Sequence, residues 1–340
     1  MNSKTMESPA RRTTRLPDES TLDFSIDSST NRFGKRGSPV KFKGSSLRYI
    51  EIPSDVKVID ESAFRECEWL EEVELHDGLE QKQKDAFLSC TSLKGIRVPR
   101  TVKAIAKAAV IGAQAFRNCT QLECVQLVKG PDHVQNGAFD CSNSLKRIKI
   151  LSTVKMIEER AFSGCTQLRT VTLCEGLEHL GRMAFEGCKS LQRIFIPSNI
   201  PTIHDRVFYG CKALMQIALN EGLGCIGNDS FASCTSLEQI TISSTVTVIG
   251  VKALSGCKRL EEVNLANGLK KISDEAFASC RSLKHIDIPS TVKEIHPRSF
   301  LQCSHLVAVT FCDEIEEFVS GASLRGWWNN GISEESLKTY

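Results

Sequence analysis

Leu283 to Cys303 reads L-K-H-I-D-I-P-S-T-V-K-E-I-H-P-R-S-F-L-Q-C. Ile286 and Ile288 alternate with His285 and Asp287, the period-2 pattern of a short strand with one buried face. Pro289 ends that strand, because proline cannot donate to a ladder. One unit earlier, Ala276, Phe277 and Cys280 fall at i, i+1 and i+4. That spacing predicts one face of a brief helical turn. A strand, a turn and a single helical turn cannot bury their own apolar face, so the unit must stack on copies of itself.

The copies are present. Phe116, Phe139, Phe162, Phe185, Phe208 and Phe231 are 23 residues apart, Leu254 fills the next slot, and Phe277 and Phe300 resume the series. Phe64 and Phe87 open it, with a 29-residue interval before Phe116 that places about six extra residues around Lys103–Ala108. A fixed period of this length marks stacked supersecondary units rather than one globular core. The turn after the strand alternates between Ile-Pro-Ser types, as at 288–290, and Gly-Leu types, as at Gly176-Leu177, Gly222-Leu223 and Gly268-Leu269. The glycine turns are expected to use positive φ.

Leu283–Cys303 resembles the repeat of the BspA-like leucine-rich-repeat family, L-x-x-I-x-I-P-x-S-V-x-x-I-x-x-x-A-F-x-x-C. The resemblance extends over residues 47–318 and departs from the pattern at Lys82, at Cys141, which sits one residue early, and at the insertion. It implies an α/β leucine-rich-repeat solenoid of about 11–12 repeats: a curved parallel β-sheet with short helices on the convex side. It also implies protein–protein contact, as on bacterial surfaces and in some microbial eukaryotes.

Residues 1–46 are different material, with nine Lys or Arg against five Asp or Glu and 12 Ser or Thr before residue 41. Such a Ser/Thr-rich basic tail is expected to be disordered. It lacks the apolar block of a secretory signal. Residues 319–340 read as a C-terminal cap or the start of a truncated segment. There Trp327 and Trp328 would close the stack, and Ser333 would start a helix. The net charge of +2 gives no expectation of nucleic-acid binding, and no run reaches the roughly 18 apolar residues of a membrane span.

Eleven of the 15 cysteines follow the repeat: Cys67, Cys90, Cys119, Cys141, Cys165, Cys188, Cys211, Cys234, Cys257, Cys280 and Cys303. A thiol column facing the interior is expected, acting as small apolar packing. Unpaired thiols favour a reducing compartment, so the sequence reads as cytoplasmic or nuclear. No catalytic, cofactor-binding or metal-binding residues are assigned. The Gly222-x-Gly224-x-x-Gly227 spelling of a dinucleotide loop is accounted for by repeat columns, and the seven histidines are scattered through different registers.

What remains is the face opposite the core. Outward strand positions carry Cys124, Arg147, Lys149, Thr172, Arg193, Phe195 and Gln216, with Arg169 beside them. A basic centre with an exposed aromatic has the residue types enriched at binding hot spots. The resulting expectation is a non-catalytic scaffold binding a protein, with an acidic or phosphorylated segment, through its concave sheet. A cell-surface adhesin or receptor ectodomain of the BspA-like type is the alternative.

Overall fold

The computed structural model describes residues 47–52, 56, 58–59, 61–75, 81–82, 84–98, 109–127 and 131–311, together with 26–27, 32–33 and 337–339. The chain is a parallel β-solenoid of about ten turns spaced near 23 residues. Each turn contributes one strand to a long sheet, from Tyr49–Glu51 through Glu72–Glu74, Gly95–Val98 and so on to Ala308–Phe311. Cross-strand partners lie one repeat apart, as in Arg147↔Thr170 and Arg193↔Gln216, so every rung presents the same column. The ladder is continuous from Tyr49–Glu51 to Gln216–Ala218, and separate ladders join Gln239–Ile242 to Glu262–Leu265 and His285–Ile288 to Ala308–Phe311.

A second sheet runs alongside, built from two- to four-residue strands such as Met156–Ile157, His179–Leu180, Thr202–Ile203 and Cys225–Ile226. Its members pair parallel in the same one-repeat register. Sequence reasoning treated these stretches as connections. Two residues carry almost no period-2 signal, so a strand this short is invisible to it.

The helices expected on the convex side are not there: among the described residues no α-helix occurs. The Phe–x–x–Cys segments instead carry two residues at positive φ four positions apart, such as Arg160 and Gly164, Met183 and Gly187, or Glu275 and Ser279, except the last, where only Gln302 is at positive φ. Two left-handed residues per turn break an α-helix before one intrahelical ladder can form. The backbone bonds go outward to the next repeat: Phe162 N–H donates to Ala184 O at 2.8 Å and Gly164 N–H to Glu186 O at 2.7 Å. These segments stack as a third hydrogen-bonded column, which satisfies groups a helix would have satisfied internally.

The interior is the expected set of columns. Phe64, Phe87, Phe116, Phe139, Phe162, Phe185, Phe208, Phe231, Leu254 and Phe277 are all fully buried, and Phe300 nearly so. From Phe64 to Phe231 successive rings lie 5.1–5.8 Å apart and within 10° of parallel, an offset stack. Leu254 interrupts the stack, and Phe277 and Phe300 restart it at 5.5 Å.

The thiol column has its own register. Cys165 Sγ donates to Phe139 O, Cys188 to Phe162 O, Cys211 to Phe185 O and Cys234 to Phe208 O, each at 3.2 Å. Cys257, Cys280 and Cys303 continue it onto Phe231, Leu254 and Phe277. Cys141 does not belong to the column. Ser142 takes the buried slot and donates to Phe116 O at 2.8 Å, while Cys141 stands at φ 60° and half-buried.

Both turn chemistries close the same way: Val292 N–H bonds Pro289 O at 3.0 Å, and Leu177 N–H bonds Cys174 O at 3.0 Å. Positive φ, expected at the glycine turns, is found at Gly268 but not at Gly176 or Gly222. There the reason for glycine is crowding, since a Cβ on Gly176 would sit 2.4 Å from Ser152 O of the preceding repeat.

Within the expected tail, Ile26–Asp27 and Arg32–Phe33 pair antiparallel, and Arg32–Phe33 pairs parallel with Val58–Ile59. At the other end Leu337–Thr339 pairs parallel with Ala308–Phe311. The rest of the tail, the insertion at Lys103–Ala108, Trp327, Trp328 and the helix start at Ser333 lie outside the described residues.

Candidate functional site

Alternation along each long-sheet strand sends one residue in and its neighbours out. Thr170–Thr172 and Arg193–Phe195 are both exposed–buried–exposed, with Val171 and Ile194 in the core. Register then sorts the outward residues into two rows. The first holds Tyr49, Glu72, Gly95, Cys124, Arg147, Thr170, Arg193 and Gln216. In the second, Lys149 stands opposite Thr172 and Phe195 opposite Ala218. Arg169, exposed, flanks the first row, its N–H bonded to Lys146 O. Seven of the eight residues picked from sequence therefore share one face across five strands, and Arg169 stands exposed just before the third of them.

Charge on this face is organised in blocks. At the first rungs acid dominates: Tyr49 donates to Glu74 at 2.9 Å, and Glu71 sits between Lys94 at 2.5 Å and Arg48 at 3.7 Å. Desolvation and the Glu74 carboxylate push the Tyr49 phenol up to about 12. The Lys94 ammonium holds the Glu71 carboxyl below its ordinary value. From Arg147 to Thr241 no outward strand position carries an acid. Arg147, Lys149, Arg169 and Arg193 form no ion pair among the described residues, whereas Lys146 beside them reaches Glu123 at 2.8 Å.

Phe195 is 55% exposed. Beside it lies a shallow depression of about 440 Å³ floored by Val171, Ile194 and Ile217 and edged by Arg193, Phe195, Gln216, Ala218 and Gln239. Ile217 is only half-buried where the equivalent residues of neighbouring rungs are buried, and the continuous ladder ends on its strand. Sequence reasoning found Phe195 but not this hollow. Ala218, small at an outward position where other rungs carry longer side chains, was the available signal.

Cys124 is an exposed thiol in register with Gly95 and Arg147. The column thiols are the opposite case. Burial pushes Cys119, Cys211 and Cys257 up to about 12 and Cys188 and Cys234 well above the ordinary thiol range. Among the described residues no cysteine is joined in a disulfide.

Elsewhere many polar groups bond to neighbouring repeats. Asp274 receives His296 at 2.7 Å and also pairs with Arg298, and Asn228 accepts from Val251 N–H at 2.8 Å. His179 and His204 lie 5.2 Å apart and tilted, and burial and then the His179 charge lower the His204 imidazole. No cluster of three or more His, Cys, Asp or Glu that could hold a metal occurs among the described residues, and no helix there could cross a membrane.

Column register and paired sheets define a leucine-rich-repeat solenoid. The chain belongs to the BspA-type leucine rich repeat region family, which it matches over residues 38–128, 106–215 and 201–323. It is similar to a leucine-rich repeat protein from Bacteroides ovatus, at 28% identity and a TM-score of 0.67, covering 86% of this chain and 83% of that one. It is also similar in fold to a leucine rich cell surface protein from Faecalibacterium prausnitzii, at 21% identity and a TM-score of 0.54, covering 92% and 96%. Comparison with curated proteins gave no match.

These findings correct one expectation. The cytoplasmic or nuclear placement does not stand, because the family and its solved relatives point to bacterial surface proteins. The inference from thiols fails for a physical reason. A buried thiol raised this far is almost never a thiolate, and the thiolate is the reactive form. Its persistence says little about the redox poise outside.

Proposed function

We propose that this chain is a non-catalytic binding solenoid of the cell-surface type, an adhesin-like or receptor-like module that contacts a protein through the exposed face of its long sheet. One observation carries the reading: Arg147, Lys149 and Arg193, which form no ion pair among the described residues, stand together with an exposed phenylalanine on one face where no outward acid lies between Arg147 and Thr241. Other surface cations of the array meet a carboxylate one repeat away, as Lys155 meets Glu178 at 2.8 Å and Lys271 meets Glu294 at 2.6 Å. Leaving several unmatched keeps them available to a partner.

Two experiments test this. Labelling intact cells with an impermeant reagent should modify the full-length protein, and protection until lysis would refute the surface placement. A face-blocking variant, Thr170→Trp with Thr172→Trp, alters exposed positions alone and should keep its melting temperature. It should lose a protein partner that wild type binds at a defined affinity. Undiminished binding would move the contact off this face.

A further inference from the structure

We infer that the middle of this face recognises an extended carboxylate-rich polypeptide segment carrying one apolar side chain. The segment would run across the strands, with the apolar group seated in the hollow beside Phe195. The inference rests on the proposed use of the face and adds the chemistry of the partner.

Geometry sets the segment. Arg147 and Arg193 occupy the same row two rungs apart, with Thr170 between them. At about 4.8 Å per rung their strands are roughly 10 Å apart, the span of about three extended residues. Acidic side chains at i and i+2 share one face of an extended segment at a spacing of about 7 Å, and the flexible arginines reach across the remaining gap to meet both. A guanidinium fork suits a carboxylate bidentately, and Thr170 between them offers a hydroxyl rather than a competing charge.

The hollow sets the remainder. The next rung past Arg193 brings Gln216, Ile217 and Ala218, where the floor is half-buried apolar surface. An apolar residue two positions beyond the second acid, on the same face of the segment, would lie over it, against the Phe195 ring. This feature selects among anions. A sulfated or uronic-acid polysaccharide would satisfy the arginines but has no side chain to fill an apolar floor. Charge complementarity alone gives rate and orientation, and the aromatic contact supplies discrimination.

The test uses labelled peptides and fluorescence anisotropy on the full chain. The main probe is a short Glu-rich peptide with one central Phe. The comparison probes replace Phe by Ser, replace Glu by Lys, or replace two Glu by phosphoserine, and a sulfated polysaccharide competes. The Phe-containing Glu peptide is expected to bind best, with affinity falling as salt rises. Arg147→Glu with Arg193→Glu should weaken it by about tenfold or more. Phe195→Ala should erase the preference for Phe over Ser while keeping the salt dependence.

Equal binding of the Phe and Ser peptides to wild type would overturn the inference, as would stronger binding of the phosphoserine peptide or the polysaccharide. So would indifference to the charge reversal. The two levels separate cleanly. A protein partner lost on Thr170→Trp with Thr172→Trp but kept on the charge reversal refutes this inference and leaves the proposed face standing.

Discussion

Phe195 and Phe208 are the same residue type thirteen positions apart, and they live in different worlds. Phe208 is fully buried, its ring stacked on Phe185 at 5.8 Å and Phe231 at 5.5 Å. Phe195 is 55% exposed on the long sheet, beside cations that pair with nothing among the described residues. The column repeats because the solenoid needs it on every turn. The face does not repeat because nothing in the fold requires any particular residue there. In a quasi-one-dimensional protein, stability therefore resides in what recurs and specificity in what does not.

The largest effect that would break this division is alkaline. The column thiols Cys119, Cys211 and Cys257 are held neutral, with folded values raised above the roughly 8.5 of an unfolded cysteine. Their stabilisation is fully present below that value and is lost as pH rises toward about 12. The loss is about 1.4 kcal/mol per pH unit for each such thiol. Cooperative unfolding is expected between about pH 9 and 12, followed by circular dichroism. Replacing Cys119, Cys211 and Cys257 by Ser should move that transition to higher pH, and an unmoved transition would mean that the thiols are not the cause.

Next comes the ring column. Phe208→Ala should cost about 3–5 kcal/mol in a denaturant titration, the range for emptying a buried aromatic site. Cys211→Ser is expected to cost only about 1 kcal/mol, because Ser142 already fills an equivalent slot and bonds Phe116 O. Phe195→Ala should change stability by less than about 0.5 kcal/mol. A cost for Phe195→Ala approaching that of Phe208→Ala would erase the contrast.

How much of this was legible without coordinates follows the same line. The Phe and Cys columns, the inward strand positions and the outward rows could be read because burial imposes them on every unit. The convex turn could not be read as a helix or otherwise from Ala276, Phe277 and Cys280 alone. One face of a helix and one face of a stacked left-handed turn bury the same residues. The signal was in the glycine before the cysteine, at Gly164, Gly187, Gly210 and Gly256, all at positive φ. Glu, Ser, Asn, Cys or Gln holds that slot in the other units, which dilutes it. The second sheet escaped because its strands are mostly two residues long. The hollow at Ile217 escaped because it depends on where the ladder stops as well as on the small Ala218, and a sequence shows only the second.

The most direct test of the division between column and face is a urea titration of Arg147→Glu with Arg193→Glu against wild type. Both residues are exposed and neither makes an ion pair within the described chain, so the reversal removes no contact that holds the fold. The midpoint and the slope should match wild type within error. A midpoint lowered to the extent expected for Phe208→Ala would show that these arginines help to hold the solenoid, and would contradict the account.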